Sequence, residues 1–262
     1  MEQNKLKVFT FNLRVEAEVD GINRFSNRHG RVLGVVEEYL PDLIGFQEVN
    51  DDMRAWLGDA LPALGYTTLG CGRNADYRGE CTVIAFRRSK FDVISMETRW
   101  LSATPLVPGS TFGGDQSRCP RVFTAAVLKP KQGSPFLFLN THLDHKGQTA
   151  RLLGAVQCIS YASEKGLPFI ITGDMNAKPG TPEIDVFTAY TPCGRPVIDA
   201  TAPLGGTFHG FGKYSPENMT KIDYIFTDMP CDVSESLVIP DEPVEGLYIS
   251  DHRPVMAVIE TL

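Results

Sequence analysis

Residues 168–177 read PFIITGDMNA. A short aromatic and β-branched run bounded by Pro, Gly and Asp has the composition of a buried strand. This one ends on Asp174 and Asn176, two residues apart. In an extended segment that spacing puts both side chains on one face, where one can hold a water or a metal while the other donates to a substrate oxygen. The plain alternative is a strand-ending turn, in which Gly, Asp and Asn are also favoured.

The pattern recurs in both directions along the chain. Apolar runs end on polar cassettes at FTFNLR (9–14), IGFQEV (44–49), FLNTHLDH (138–145), TKIDYIF (220–226) and ISDHRPV (249–255). These place Asn12, Glu48, His142, Asp144, Asp223, Asp251 and His252 at strand ends. Ionisable groups are seldom buried without partners, so their repeated placement points to one shared, charged pocket. Carboxylate and amide oxygens are hard ligands suited to Mg²⁺ or Mn²⁺. Asp251 and His252 are neighbours, but at a strand-to-loop junction both can reach one pocket, Asp251 toward a metal and His252 toward a substrate. Asp223 can then orient His252 and favour its charged form. Taken singly, Glu48 could be a capping residue and His142 a core histidine. HLDH partly matches a zinc-hydrolase signature, yet Asn140 stands where its first histidine belongs, and five histidines make a zinc-rich ligand set hard to complete.

Strands are expected over Lys5–Asn12, Leu43–Val49, Cys81–Arg87, Arg121–Leu128, Pro135–His142, Pro168–Gly173, Lys221–Thr227 and His252–Ile259. Helical periodicity is clearest in Asn27–Tyr39, with Val32, Val35, Val36 and Tyr39 on one face, and in Thr149–Lys165, with Leu152, Leu153, Val156 and Ile159. Helices so widely spaced cannot cover both faces of one parallel sheet through alternating βαβ units. The expected fold is α/β, a four-layer α/β sandwich with two mixed sheets face to face and helices outside. Cassettes near both termini predict a single domain over 1–262. Segments 102–120 and 192–217 are loop-rich, and long loops in a compact domain are often binding loops.

The formal charge of −7 argues against a dedicated binder of long nucleic acids, although Arg14, Arg118 and Arg121 can form a local basic rim. A nuclease would need a basic track, and Arg24, Arg28, Arg31, Arg73, Arg78, Arg118 and Arg121 are scattered. The six cysteines form no CxxC pair and read as reduced thiols, with a Cys71–Cys81 bridge across a hairpin as the alternative. Without a signal core or an apolar stretch of about 20 residues, the chain is expected to be cytoplasmic, a removed leader aside. No protein partner is evident and a monomer is expected.

Taken in order, Asn12, Glu48, His142, Asp174–Asn176, Asp223 and Asp251–His252 resemble the motifs of the endonuclease/exonuclease/phosphatase superfamily, the deoxyribonuclease I-like group, from end to end. The strings THLDH, GTFHGFG and IDYIF most resemble its little-characterised bacterial metal-dependent hydrolase branch. The resemblance implies the four-layer sandwich and phosphoester cleavage with Mg²⁺ or Mn²⁺. It implies Glu48 as principal metal ligand, helped by Asn12 and Asp251, and Asp174 positioning the water. Asn176 would hold a non-bridging oxygen, Asp223 and His252 would serve proton transfer or charge stabilisation, and His142 would lie against the scissile phosphate. Arg14 replaces an acidic residue of abasic-site nucleases, so it is expected on substrate phosphate, with Arg118, Asp144 and His209 as further substrate contacts. The leading expectation is a phosphodiesterase acting on a small or single-stranded phosphorylated substrate. Alternatives are a nuclease, a phosphomonoesterase on sugar or inositol phosphates, a zinc hydrolase, and a non-catalytic phosphoester-binding module, the last disfavoured because Glu48, Asp174 and His252 are all present.

Overall fold

The computed structural model describes residues 4–261. Twelve strands and four α-helices follow in the order β1 (Asn4–Asn12), α1 (Phe25–Tyr39), β2 (Leu43–Val49), α2 (Asp51–Ala60), β3 (Tyr66–Leu69), β4 (Cys81–Arg87), β5 (Phe91–Trp100) and β6 (Val122–Pro130). After these come β7 (Phe136–His142), α3 (Gln148–Lys165), β8 (Phe169–Asp174), α4 (Pro182–Ala189), β9 (Ile198–Asp199), β10 (Asp223–Thr227), β11 (Cys231–Val238) and β12 (Val255–Thr261). They form two six-stranded sheets, β11-β12-β1-β2-β4-β3 and β5-β6-β7-β8-β10-β9. Each sheet has one parallel pair at its centre, β1 with β2 and β7 with β8, and is otherwise antiparallel.

Strand alternation builds the layers. Leu6 and Val8 of β1, Phe136 and Phe138 of β7, Ile170 of β8 and Ile225 of β10 share the core between the sheets. The residues of opposite parity turn outward: Phe9 and Phe11 pack with Val32, Val35 and Val36 of α1, while Leu137, Leu139, Phe169 and Ile171 pack with Ala155, Cys158, Ile159 and Ala162 of α3. A period of two therefore also puts Asn12, His142, Asp174 and Asp223 on the inward faces. The inter-sheet layer ends in these polar groups.

A buried polar clip lies just beneath them. The Asn140 amide of β7 donates to the Phe46 carbonyl at 2.7 Å and the Val83 carbonyl at 3.0 Å, both in the opposite sheet. Its oxygen accepts from Gln47 Nε2 at 2.7 Å and Thr172 Oγ1 at 3.2 Å. Gly45 leaves room for the clip, because a Cβ there would stand 2.1 Å from Thr172 Oγ1 and 2.5 Å from Asn140 Oδ1. Asn140 is thus a structural tie, which removes the position that a zinc signature would need.

β2 and β4 span the expected residues, and β12 starts three residues later than expected because His252 bridges Phe208 instead of continuing the strand. The face of α3 differs from the expected one. Leu153 and Val156 are exposed and Gly154, Ala155, Cys158 and Ala162 are buried with Ile159. Small residues let the helix lie close, since a Cβ on Gly154 would already stand 3.1 Å from both Leu101 and Leu143. All six cysteines are free thiols, so the Cys71–Cys81 alternative falls.

Candidate active site

The C-terminal ends of the two parallel pairs meet at one rim. In register, Asn12 faces Gln47 across β1 and β2, His142 faces Asp174 across β7 and β8, and Asp174 faces Asp223 across β8 and β10. Glu48 has the wrong parity for this rim. It is re-aimed by an irregularity in the β2–β4 pairing between Phe46 and Val49 and by a left-handed backbone, φ 59°. Bulges re-aim side chains in this way, and a non-glycine residue at positive φ marks a position held by its surroundings. Arg14 and Asn176, at φ 53° and 48°, sit in similar turns just past β1 and β8.

The side chains then converge. Asn12 Nδ2 donates to Glu48 Oε1 at 3.2 Å and to Asp174 Oδ2 at 2.9 Å. Asp174 Oδ1 accepts from the Asn176 backbone at 2.9 Å, and Oδ2 lies 3.4 Å from His142 Nε2 and 3.7 Å from His252 Nε2. Asn176 Nδ2 donates to His142 Nε2 at 3.0 Å and to the Leu143 carbonyl at 3.1 Å. Asp223 Oδ2 holds His252 Nδ1 at 2.9 Å and accepts from Thr207 Oγ1 at 2.5 Å, while Asp223 Oδ1 is buried without a hydrogen-bond partner. Ser250 Oγ ties this loop to the Asn12 carbonyl at 2.7 Å.

Burial and neighbours push the titrating groups apart. Burial lifts the Asp174 carboxyl to about 7, with His252 opposing and Asp223 assisting the rise. Burial disfavours a charged His252, but Asp223 beside it prevails and raises the imidazole to about 10. His142 is driven the other way, by burial and by the charges of Arg121 and Arg73, and is a neutral ring accepting from Asn176. Burial also works against ionised Glu48, yet the Val15 N–H, His252, Arg14 and Asn12 together hold it below its ordinary value. Asp251 is raised, by burial and then by Glu48, with His252 and Arg14 opposing.

Two triads bring ligand atoms within 4.8 Å of one another: Glu48, His142 and Asp174, and Asp174, Asp223 and His252. Asp251 completes the acidic rim from across Arg14, whose guanidinium lies 3.8 Å from Glu48 and 3.9 Å from Asp251. Arg14 spends its short bonds on Asp20, at 2.9 and 3.0 Å, so it faces Glu48 and Asp251 only at longer range and the acids outnumber the cations beside them. Hard oxygen donors in that state fit a divalent cation.

The remaining expected contacts fall elsewhere. Asp144 accepts from the backbones of Ser117, Lys146 and Gly147 and from the Ser117 hydroxyl, so it braces the loop after β7. His209 is buried under a turn, accepting from Gly212 N at 3.0 Å, and Phe208 is the residue whose ring lies 4.9 Å from His252. Arg118 is exposed, whereas Arg121 lines a cleft with Arg73, Glu48 and His142. Arg28 is fully buried, donating to the carbonyls of Asn23, Ile249 and Arg14, and so holds the loops that carry Arg14 and Asp251. It is closed to any substrate. No regular spacing in the sequence marks Arg28, Arg73 or Arg121 for these places.

The family model described as endonuclease/exonuclease/phosphatase family matches residues 9–252, from β1 to His252. The chain belongs to this family. Its members are hydrolases of phosphoesters, and the two mixed sheets are the family's deoxyribonuclease I-like fold. An endonuclease/exonuclease/phosphatase from Bacteroides vulgatus is 30% identical and superposes with a TM-score of 0.90, covering 99% of this chain and 100% of that one. A mannosyl-6-phosphatase from Bacteroides thetaiotaomicron is also 30% identical, with a TM-score of 0.85 over 97% and 99% of the two chains. An uncharacterised protein of Acanthamoeba polyphaga mimivirus is 24% identical over 181 residues, 65% of this chain and 67% of its own. Among the described residues, no helix is long and apolar enough to cross a membrane.

Proposed function

We propose that this protein is a divalent-metal-dependent phosphoesterase acting on small phosphorylated molecules. The observation that carries this reading is the convergence of Glu48, Asp174, Asp251 and the Asp223–His252 pair at one rim, where four acids face two cations within 3.9 Å, Arg14 and His252. Glu48, Asp251 and Asn12 are the residues to hold Mg²⁺ or Mn²⁺, which when bound supplies neutralisation of charge on the phosphoryl and leaving-group oxygens.

The side chains perform the rest. Asp174, lifted to about 7, is a carboxylate matched to accepting a proton from an attacking water at neutral pH. His252, held charged by Asp223, presents Nε2 as a donor to phosphoryl oxygens as negative charge builds there. Asn176 and neutral His142, fixed to each other, orient the phosphoryl group for in-line attack. Neutral His142 adds no competing charge.

A small substrate is favoured over a polynucleotide by the net charge of −7 and by the fate of the arginines. Arg24 is bound to Glu16, Arg31 to backbone carbonyls and Arg28 is buried, which takes these three out of any basic track for successive phosphates, while Arg73, held by Glu80, and Arg121 stand beside the site itself. The 30% identical mannosyl-6-phosphatase makes sugar phosphates the first class to try. The test is hydrolysis of 4-nitrophenyl phosphate, its bis-ester and sugar 6-phosphates with Mg²⁺, Mn²⁺ or excess chelator, with Glu48→Gln as the contamination control. Metal-dependent turnover absent from the variant is expected. Turnover that ignores chelator and variant alike would refute the reading, and tight binding without turnover would make the protein a binding module.

A further inference from the structure

One cleft opens beside the site, lined by Glu48 and His142 of the site and by Arg73, Glu80 and Arg121, three residues with no part in the chemistry above. Its volume is about 10 Å³, room for roughly one water-sized group and far below the roughly 300–1,000 Å³ of pockets for drug-sized ligands. It can take a single oxygen atom of a ligand and is too small for a second ester substituent of any size.

Arg121 gives the cleft its character. It precedes β6 and is 5% exposed. A buried guanidinium is costly unless paired and hydrogen-bonded, and this one is under-served. Its Nη2 meets only the His145 ring, at 2.8 Å, and its Nε is buried with no hydrogen-bond partner. The nearest carboxylate, Asp144, stands 3.6 Å away with both oxygens already engaged by Ser117, Lys146 and Gly147. Arg73 is different, since Glu80 takes both of its terminal nitrogens at 2.7 and 2.8 Å. The less committed of the two cations in the cleft is therefore Arg121, next to His142.

We propose that Arg121 binds a terminal oxygen of a phosphomonoester and so makes the protein a monoesterase. The inference rests on the proposed function, which places the scissile phosphoryl group among His142, Asn176 and His252. In-line attack leaves three equatorial positions on phosphorus. A monoester fills all three with charged oxygens, and a diester puts an ester substituent in one. A buried guanidinium at that position rewards the extra charged oxygen, and a diester would leave it unpaired in a space with no room for the substituent.

The experiment compares wild type, Arg121→Ala and Arg121→Lys on 4-nitrophenyl phosphate and its bis-ester, alongside calorimetric binding of inorganic phosphate with Mg²⁺ present. Arg121→Ala is expected to lose roughly 100-fold in kcat/KM on the monoester and less than about threefold on the diester. Phosphate binding should weaken by about tenfold or more. Arg121→Lys keeps the charge without the fork and should fall between; if the alanine variant does not fold, the lysine variant carries the comparison, with a monoester-selective loss of about tenfold. Equal losses on both esters, or a wild-type preference for the diester, would overturn the proposal. If the wild type hydrolyses neither ester nor a sugar 6-phosphate, the phosphoesterase reading fails, and the calorimetry decides separately: phosphate bound by wild type and lost in the variant upholds the Arg121 site, and equal or absent binding overturns it.

Discussion

The two ends of the sandwich treat charge in opposite ways. At the end away from the site, a groove between the sheets is edged by Lys5, Lys90 and Lys131, each paired with one acid: Glu260, Asp42 and Asp92. Those lysines are about half exposed, and such pairs contribute little. At the other end, four acids, two histidines and Arg14 are gathered from both sheets and largely buried. The same strands run through both ends. One end keeps charge in water and neutral overall, whereas the other concentrates charge that a ligand must complete, and only the second arrangement sacrifices stability for chemistry.

The sharpest way to break the comparison is at the site. Glu48→Gln and His252→Ala should each reduce kcat/KM by about 1,000-fold or more with an unchanged circular dichroism spectrum. Retention of a tenth of wild-type turnover in either would sink the assigned roles. Next comes the clip beneath: Asn140→Leu strands the Phe46 and Val83 carbonyls and Gln47, and should cost about 3 kcal/mol in urea unfolding. A cost under about 0.5 kcal/mol would mean that the clip is incidental.

Metal should then repair part of what the acidic rim costs. Mg²⁺ or Mn²⁺ at about 100 times its Kd should stabilise the wild type by about 2.7 kcal/mol, and Glu48→Gln by much less, as read from thermal melts with and without chelator. Equal shifts in both proteins would place the bound metal elsewhere. Away from the rim, Glu97 on β5 bonds Arg99, Tyr161 and Lys165, and despite burial these partners lower it from 4.5 to about 2. A depressed carboxylate contributes stability above its unfolded pKa and loses it as pH falls through the folded one. The deficit of Glu97→Gln should thus be full above about pH 4.5 and vanish near pH 2; a deficit constant over that range would rule out the ionised pair as its source. Smallest of all, Lys131→Met at the far end should change the urea midpoint by an amount worth less than about 0.5 kcal/mol.

What the sequence disclosed follows the same division. Buried strands carry dense Val, Ile and Phe, so β2, β4, β7 and β8 and the polar groups at their ends are legible, and parity alone turns Asn12, His142, Asp174 and Asp223 inward. The edge strands β5 and β11 are largely exposed and lack that pattern. α2 has few apolar residues, and its clearest signal is a cap, Asn50 accepting from Met53 N, followed by Asp51 and Asp52. The face of α3 is set by how closely Gly154 and Ala155 allow it to approach, which a hydrophobic period does not report. Glu48 is readable as a residue type but not as a direction, since its aim comes from a backbone irregularity. Arg28, Arg73 and Arg121 are alike in sequence and differ only in what surrounds them: carbonyls, a carboxylate, or a histidine ring.

The Asn140 clip spans the gap that divides the site into halves, one borne by β1 and β2, the other by β7, β8 and β10. Because side-chain bonds to backbone set that spacing, the reacting groups need no closing motion to find one another. The loop over 192–217 holds Thr207 and Phe208 against Asp223 and His252, whereas the loop over 103–114 bonds to none of the reacting groups, and grafting a relative's loop there would change which molecule enters while the distance between Asn12 and Asp174 stays as it is. Such a scaffold lets evolution alter the substrate while the chemistry is inherited unchanged.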